Sequence, residues 1–133
     1  MSSEKITGGC LCGAVRYEID GAAEGASHCH CGMCRKASGA AFVTWLAVAH
    51  DCFRYTEGAP TSYRSSELAS RNFCAVCGSQ LQFEYHGAHD HTHITVGSLD
   101  APERITPTRH IWINDRLPWA DYEDGLPEFS GED

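Results

Sequence analysis

Seven of the eight cysteines fall into three short clusters, and this spacing limits what the chain can become more than any other feature. Cys10 and Cys12 lie in "CLC", Cys29, Cys31 and Cys34 in "CHCGMC", and Cys74 and Cys77 in "CAVC", while Cys52 stands apart. Cysteines two or three residues apart seldom reach good disulfide geometry with each other, but they readily share one metal ion. The N-terminus "MSSEKITGG" lacks the basic and apolar regions of a secretory leader. A cytoplasmic, reducing setting is therefore expected, in which clustered thiols bind metal or react.

Zinc prefers four soft ligands in a tetrahedron, so seven thiolates divide naturally as four plus three. "CAVCG" has the form of a zinc knuckle, with Gly78 placed to let backbone amides approach the sulfurs, and Gly13 holds the matching place in "CLCG". On an extended chain Cys10 and Cys12 point to the same side. The economical solution pairs Cys10 and Cys12 with Cys74 and Cys77 in a closed structural site. It leaves Cys29, Cys31 and Cys34 to hold a second zinc with one coordination position open, the mark of a catalytic site. The alternatives are a disulfide framework, an iron–sulfur cluster, or a second closed site completed by a histidine. His28 and His30 neighbour the thiolates, and "HGAHDHTH" supplies His86, His89, His91 and His93. Cys52 reads as a small buried hydrophobe.

The rest of the chain is patterned for strands. At 133 residues with 42% apolar residues it is long enough for one domain with a core, spanning 1–133, and it contains no apolar run long enough for a membrane helix. Val15, Tyr17 and Ile19 alternate with polar residues, and "FVTWLAV" at 42–48 is a continuous apolar run suited to a buried strand. "CFRYTEG" and "TSYRSS" flank Gly58 and Pro60 and predict a hairpin, and "SQLQFEYH" places Leu81, Phe83 and Tyr85 on one face. "HTHITVGSL" and "RHIWI" add two strands, and one short helix is predicted near Cys34. Net charge is −8, of which residues 115–133 carry −6. A near-neutral body with an acidic tail argues against general nucleic-acid binding. The tail reads as a solvated loop wrapping the body.

Taken together, "GGCLCGAVRY", "HCHCGMCRKASGA", "NFCAVCGSQL" and "HIWINDRLPWADYEDGLPEF" resemble, in this order, the glutathione-dependent formaldehyde-activating enzyme family, which also includes centromere protein V-like proteins. The resemblance spans residues 8–129. It implies a mainly β fold of several coiled antiparallel sheets stapled by zinc, similar to Rab-chaperone proteins and methionine sulfoxide reductase B. It implies that Cys10, Cys12, Cys74 and Cys77 hold a structural zinc, and that Cys29, Cys31 and Cys34 hold a catalytic one. The implied activity is a carbon–sulfur lyase reaction run backwards, condensing glutathione with formaldehyde to S-hydroxymethylglutathione.

A zinc with three thiolates is a weak Lewis acid, ill suited to making hydroxide and better suited to a soft incoming thiolate. Glutathione also brings two carboxylates, which call for fixed cations. Arg35, Lys36 and Arg71 are the candidates, with Arg64 nearby and Gly39 and the helix amides as further donors. The reading from a different class is a non-catalytic zinc-stapled thiol-binding or interaction module.

Overall fold

In "AVRYEI" every second residue is apolar, and alternate side chains of a strand point to opposite faces. Strand β2 (Arg16–Asp20) accordingly buries Tyr17 and Ile19 and leaves Arg16 and Glu18 half-buried. It is the centre of a three-stranded antiparallel sheet, between β1 (Lys5–Gly9) and β5 (Phe53–Glu57). The computed structural model describes residues 5–21, 23–87 and 89–132 and is mainly β.

A second sheet of seven strands runs in the order β10 (Arg109–Ile111), β3 (Gly25–Cys29), β4 (Val43–Ala49), β9 (His91–Thr95), β8 (Gln80–Tyr85), β7 (Ala69–Phe73) and β6 (Thr61–Arg64). Every neighbouring pair is antiparallel except β10 and β3. A parallel neighbour cannot be made by a tight hairpin, and β10 reaches β3 only after β4 to β9 have been laid down. The mainly β expectation holds, but the expected several coiled antiparallel sheets are two sheets that do not curl, one of them with a parallel edge pair.

The main core lies between the sheets. Val15, Tyr17 and Ile19 from one side meet Leu46, Val48, Leu81 and Ile94 from the other. Apart from Thr44, strand β4 is apolar, and both its faces are covered. Leu46 and Val48 enter this core, while Val43 and Trp45 pack on the far face with Cys29 and Cys34.

Two expectations about strands fail for identifiable reasons. "CFRYTEG" and "TSYRSS" do not pair: β5 pairs with β2, β6 pairs with β7, and the turn through Gly58 and Pro60 carries the chain from one sheet to the other. Leu81, Phe83 and Tyr85 do not share a face either. The β7–β8 ladder shifts register between Asn72 and Phe73, so Leu81 is the extra residue of a bulge. Leu81 joins the inter-sheet core, whereas Phe83 turns to the far face beside Trp45.

The helix α1 (Gly32–Ser38) begins two residues before Cys34. Cys31 is its N-cap, with its Sγ accepting from the Cys34 amide at 3.3 Å. Gly39 is the left-handed C-cap, and its amide is already given to the Arg35 carbonyl, so it is not a donor for a carboxylate. The tail wraps the body as read from the sequence. After a single 3₁₀ turn at Ile113–Asp115 it returns along β10, where His110 donates to the Pro127 carbonyl and Phe129 donates to the His110 carbonyl, each at 2.9 Å. Among the described residues no helix is long and apolar enough to cross a membrane.

Candidate metal centres and the cavity beside them

Cys10, Cys12, Cys74 and Cys77 converge from the β1–β2 and β7–β8 turns, all four Sγ atoms within 4.8 Å of one another. The turns are alike: Gly13 donates to the Cys10 carbonyl and Gly78 to the Cys74 carbonyl, at φ of +83° and +81°. Only glycine adopts that backbone freely. With Zn–S near 2.3 Å, a tetrahedral site has S–S edges of about 3.8 Å. Cys10–Cys12 and Cys12–Cys74 stand at 3.6 and 3.8 Å. The donor set, the spacing and the amide of Val15 directed at the Cys10 sulfur at 3.3 Å fit zinc. Hydrogen bonding from the Ser79 hydroxyl, 3.2 Å away, pulls the Cys77 thiol down to about 5. Cys10 and Cys74 are buried in the inter-sheet core, so a metal held by the four sulfurs would join the two sheets.

Cys29, Cys31 and Cys34 form a second group within the same 4.8 Å limit. Cys29 ends β3, Cys31 caps α1, and Cys34 is the buried residue of that helix. The strand-to-helix turn therefore gathers three sulfurs that neither element could present alone. Hydrogen bonds from the Cys29 and Cys34 thiols hold Cys31 far below the ordinary thiol range, with the Cys34 amide and Arg71 adding to the effect. The same pairing pushes Cys29 up. Crowded thiols of this kind cannot all ionise unless a cation sits among them. All eight cysteines are unpaired, so no disulfide framework forms.

The histidines beside these cysteines turn away from them. His28 Nδ1 bonds the Thr44 hydroxyl at 2.8 Å, and His30 Nε2 bonds His110 Nδ1 at 2.8 Å. His110 in turn meets Asp124 at 2.8 Å. Burial lowers His30 to about 4. Among the described residues no histidine or carboxylate joins the three sulfurs as a fourth ligand.

The three cysteines open into a cavity of about 1550 Å³. It lies on the face of the seven-stranded sheet opposite the core and takes alternate residues from every strand, such as Ile111, Cys29, Trp45, His93, Phe83 and Arg71. The three candidate cations are placed differently. Arg71, on β7, is buried at 7% exposure, and its two terminal nitrogens face Cys34 Sγ at 3.6 and 3.7 Å. Its Cζ lies 4.9 Å from the centre of the Phe83 ring, and its Nε has no partner. Lys36 is exposed and lines the cavity. Arg35, one position earlier on α1, is half-buried and lies outside the lining, because Met33, Lys36 and Ala37 take the inward helical face. Arg64 is also outside and donates to the Glu67 carbonyl.

Sequence reasoning missed the aromatic wall of the cavity. Trp45 and Phe83 have ring centres 6.0 Å apart, and Phe83 and Tyr85 5.1 Å. The alternation of β4 and β8 carried part of this signal. The strand order that makes β9 alone separate them did not show.

Comparison with known proteins bears on the family and the fold. The signature of the family described as glutathione-dependent formaldehyde-activating enzyme matches residues 5–115. An uncharacterized lyase of Schizosaccharomyces pombe is 27% identical over 123 residues, covering 92% of this chain and 89% of its own. A crystal structure of a Rhodobacter sphaeroides protein shares the fold at a TM-score of 0.61 and 20% identity, covering 92% of this chain and 98% of that one. The chain belongs to the glutathione-dependent formaldehyde-activating enzyme family.

Proposed function

We propose that this protein is a zinc-dependent carbon–sulfur lyase that joins a thiol to an aldehyde and reverses that step, with glutathione and formaldehyde as the pair its family suggests. The observation that supports this reading best is the three-cysteine group, without a fourth ligand among the described residues, in the lining of a large cavity. Cys29, Cys31 and Cys34 would hold a zinc ion there, and its charge would favour the thiolate form of an incoming thiol.

The residues do the rest. Cys29, Cys31 and Cys34 gather their sulfurs at the strand–helix junction, where they would hold the metal beside the cavity. Arg71 places a guanidinium against Cys34 and offsets negative charge among the thiolates. Lys36, exposed in the cavity lining, would meet a carboxylate of the thiol. In the forward direction the S–H bond and the carbonyl π bond break, and a C–S and an O–H bond form, with no change of oxidation state. No strong general base is required. Unpaired cysteines in such number suit a reducing, cytoplasmic setting.

The second reading, an interaction module, draws on Leu11 and Val76, which project from the two knuckles at 89% and 80% exposure. The deciding measurement is the rate of S-hydroxymethylglutathione formation by zinc-loaded protein. The expected result is a rate above the uncatalysed background that is lost in Cys31→Ser. A rate equal to background, with zinc bound and glutathione saturating, would favour the module.

A further inference from the structure

The cavity is far larger and more apolar than formaldehyde requires. Small-molecule sites usually measure about 300–1,000 Å³, and this one is about 1550 Å³. Its apolar wall starts at the sulfurs. Arg71 bridges Cys34 and the Phe83 ring, and Phe83 leads to Trp45 on one side and Tyr85 on the other. Farther out, Tyr63, Leu68 and Trp112 line the same cavity while 64%, 71% and 40% exposed. Large apolar side chains facing water gain stability when an apolar ligand covers them.

The charges do not compensate for this. The lining holds Lys36, Arg71 and Arg109 against Asp90, Asp115 and Glu132, three of each sign. Arg71 is turned to Cys34, and Glu132 accepts a hydrogen bond from Tyr85 at 2.5 Å. A site built mainly around a small peptide's carboxylates would carry an excess of cations near the sulfurs.

We propose that the ligand of this cavity carries an apolar group of phenyl size or larger within two or three bonds of its sulfur. This inference rests on the thiol–aldehyde reading above and names its substrate class. The product is a hemithioacetal, RS–CH(OH)R′, with R or R′ apolar. Atoms balance as before: the thiol proton passes to the carbonyl oxygen as the C–S bond forms.

Two series on the zinc-loaded full chain test it and separate the sources of the apolar group. In the first, calorimetry measures binding of ethanethiol, butanethiol, hexanethiol and 2-phenylethanethiol. In the second, glutathione is held constant and the acceleration over the uncatalysed reaction is compared for formaldehyde, butanal and hexanal. Burial of each methylene is worth roughly a factor of three to four. Hexanethiol is therefore expected to bind on the order of 100-fold tighter than ethanethiol if R is the apolar group. A similar climb from formaldehyde to hexanal is expected if R′ is. Phe83→Ala, and Tyr63→Ser at the exposed rim in case the first variant folds poorly, should each flatten the climbing series. Flat series, with thiols binding normally, would overturn this inference and leave the thiol–aldehyde reading standing. No thiol binding and no acceleration with any aldehyde would overturn both.

Discussion

Arg71 shows how much one side chain can decide. From sequence it is a cation within reach of a cysteine cluster; in the fold it is buried, stacked on Phe83 and forked onto Cys34 Sγ. A partner outside the ligand set of a metal commonly changes affinity 10–100-fold. Arg71→Met is therefore expected to weaken zinc at the three-cysteine site by about 10–100-fold and leave the four-cysteine site unchanged, with Arg71→Lys in between. Competition with a chromophoric chelator measures both sites in one titration. Gln82 is a second such residue. It is buried at 3% exposure, accepts from Tyr55 and Asn72 at 2.7 Å each, and donates to Thr92 at 2.9 Å. Gln82→Leu adds apolar surface but strands those groups, and it should cost about 1–3 kcal/mol in urea unfolding of the zinc-loaded protein. No loss of stability would mean that the bridge is unimportant.

At the scale of elements, the β8 bulge and the C-terminal segment set the walls of the site. Without the extra residue at Leu81, Phe83 would face the core and the cavity would lose the ring beneath Arg71. The tail is held by its own carboxylates rather than only solvated by them: Asp124 meets His110, Glu128 meets Arg116 at 3.0 Å, and Glu132 meets Tyr85. The Leu126 amide, and then His110, keep Asp124 below the usual carboxylate range. A depressed carboxylate contributes stability above its unfolded value and loses it as pH falls through the folded one. Protection of the Phe129 amide, which bonds the His110 carbonyl, should therefore weaken below about pH 4. Asp124→Asn should lower that protection already at neutral pH and remove the acid step. Hydrogen exchange at Phe129 reads both effects, and unchanged protection in the variant would show that the backbone bonds alone hold the tail.

For the whole molecule, under the proposed function one cysteine group serves folding and the other chemistry. The four-cysteine group joins the two sheets through buried Cys10 and Cys74, whereas the three-cysteine group lies on the outer face of one sheet. Cys74→Ser is expected to lose the fold, because in small zinc domains metal binding energy is largely folding energy. Cys31→Ser should keep it and lose only the second zinc. Chelators should strip the three-cysteine site first, with little change in circular dichroism. Zinc analysis and thermal melts of both variants check this, and equal unfolding in the two would make the second site structural.

The grouping of the cysteines and much of the fold were written locally. Cysteines two or three residues apart are spaced to share a metal, so the grouping into four and three was the economical reading of the spacing, and the structure brings the sulfurs of each group together. The alternation of Val15, Tyr17 and Ile19, and the apolar run of β4, gave strands because the period of side chains along a strand is fixed by the backbone. Tertiary structure decided what depends on neighbours distant in sequence. It turned an expected hairpin into a crossover between sheets, since pairing partners for β5 and β6 were settled by β2 and β7. It moved Leu81 and Phe83 to opposite faces, because a bulge is a property of two strands together. It brought Trp45, Phe83 and Arg71 beside Cys34, because a face shared by seven strands exists only once their order and register are set.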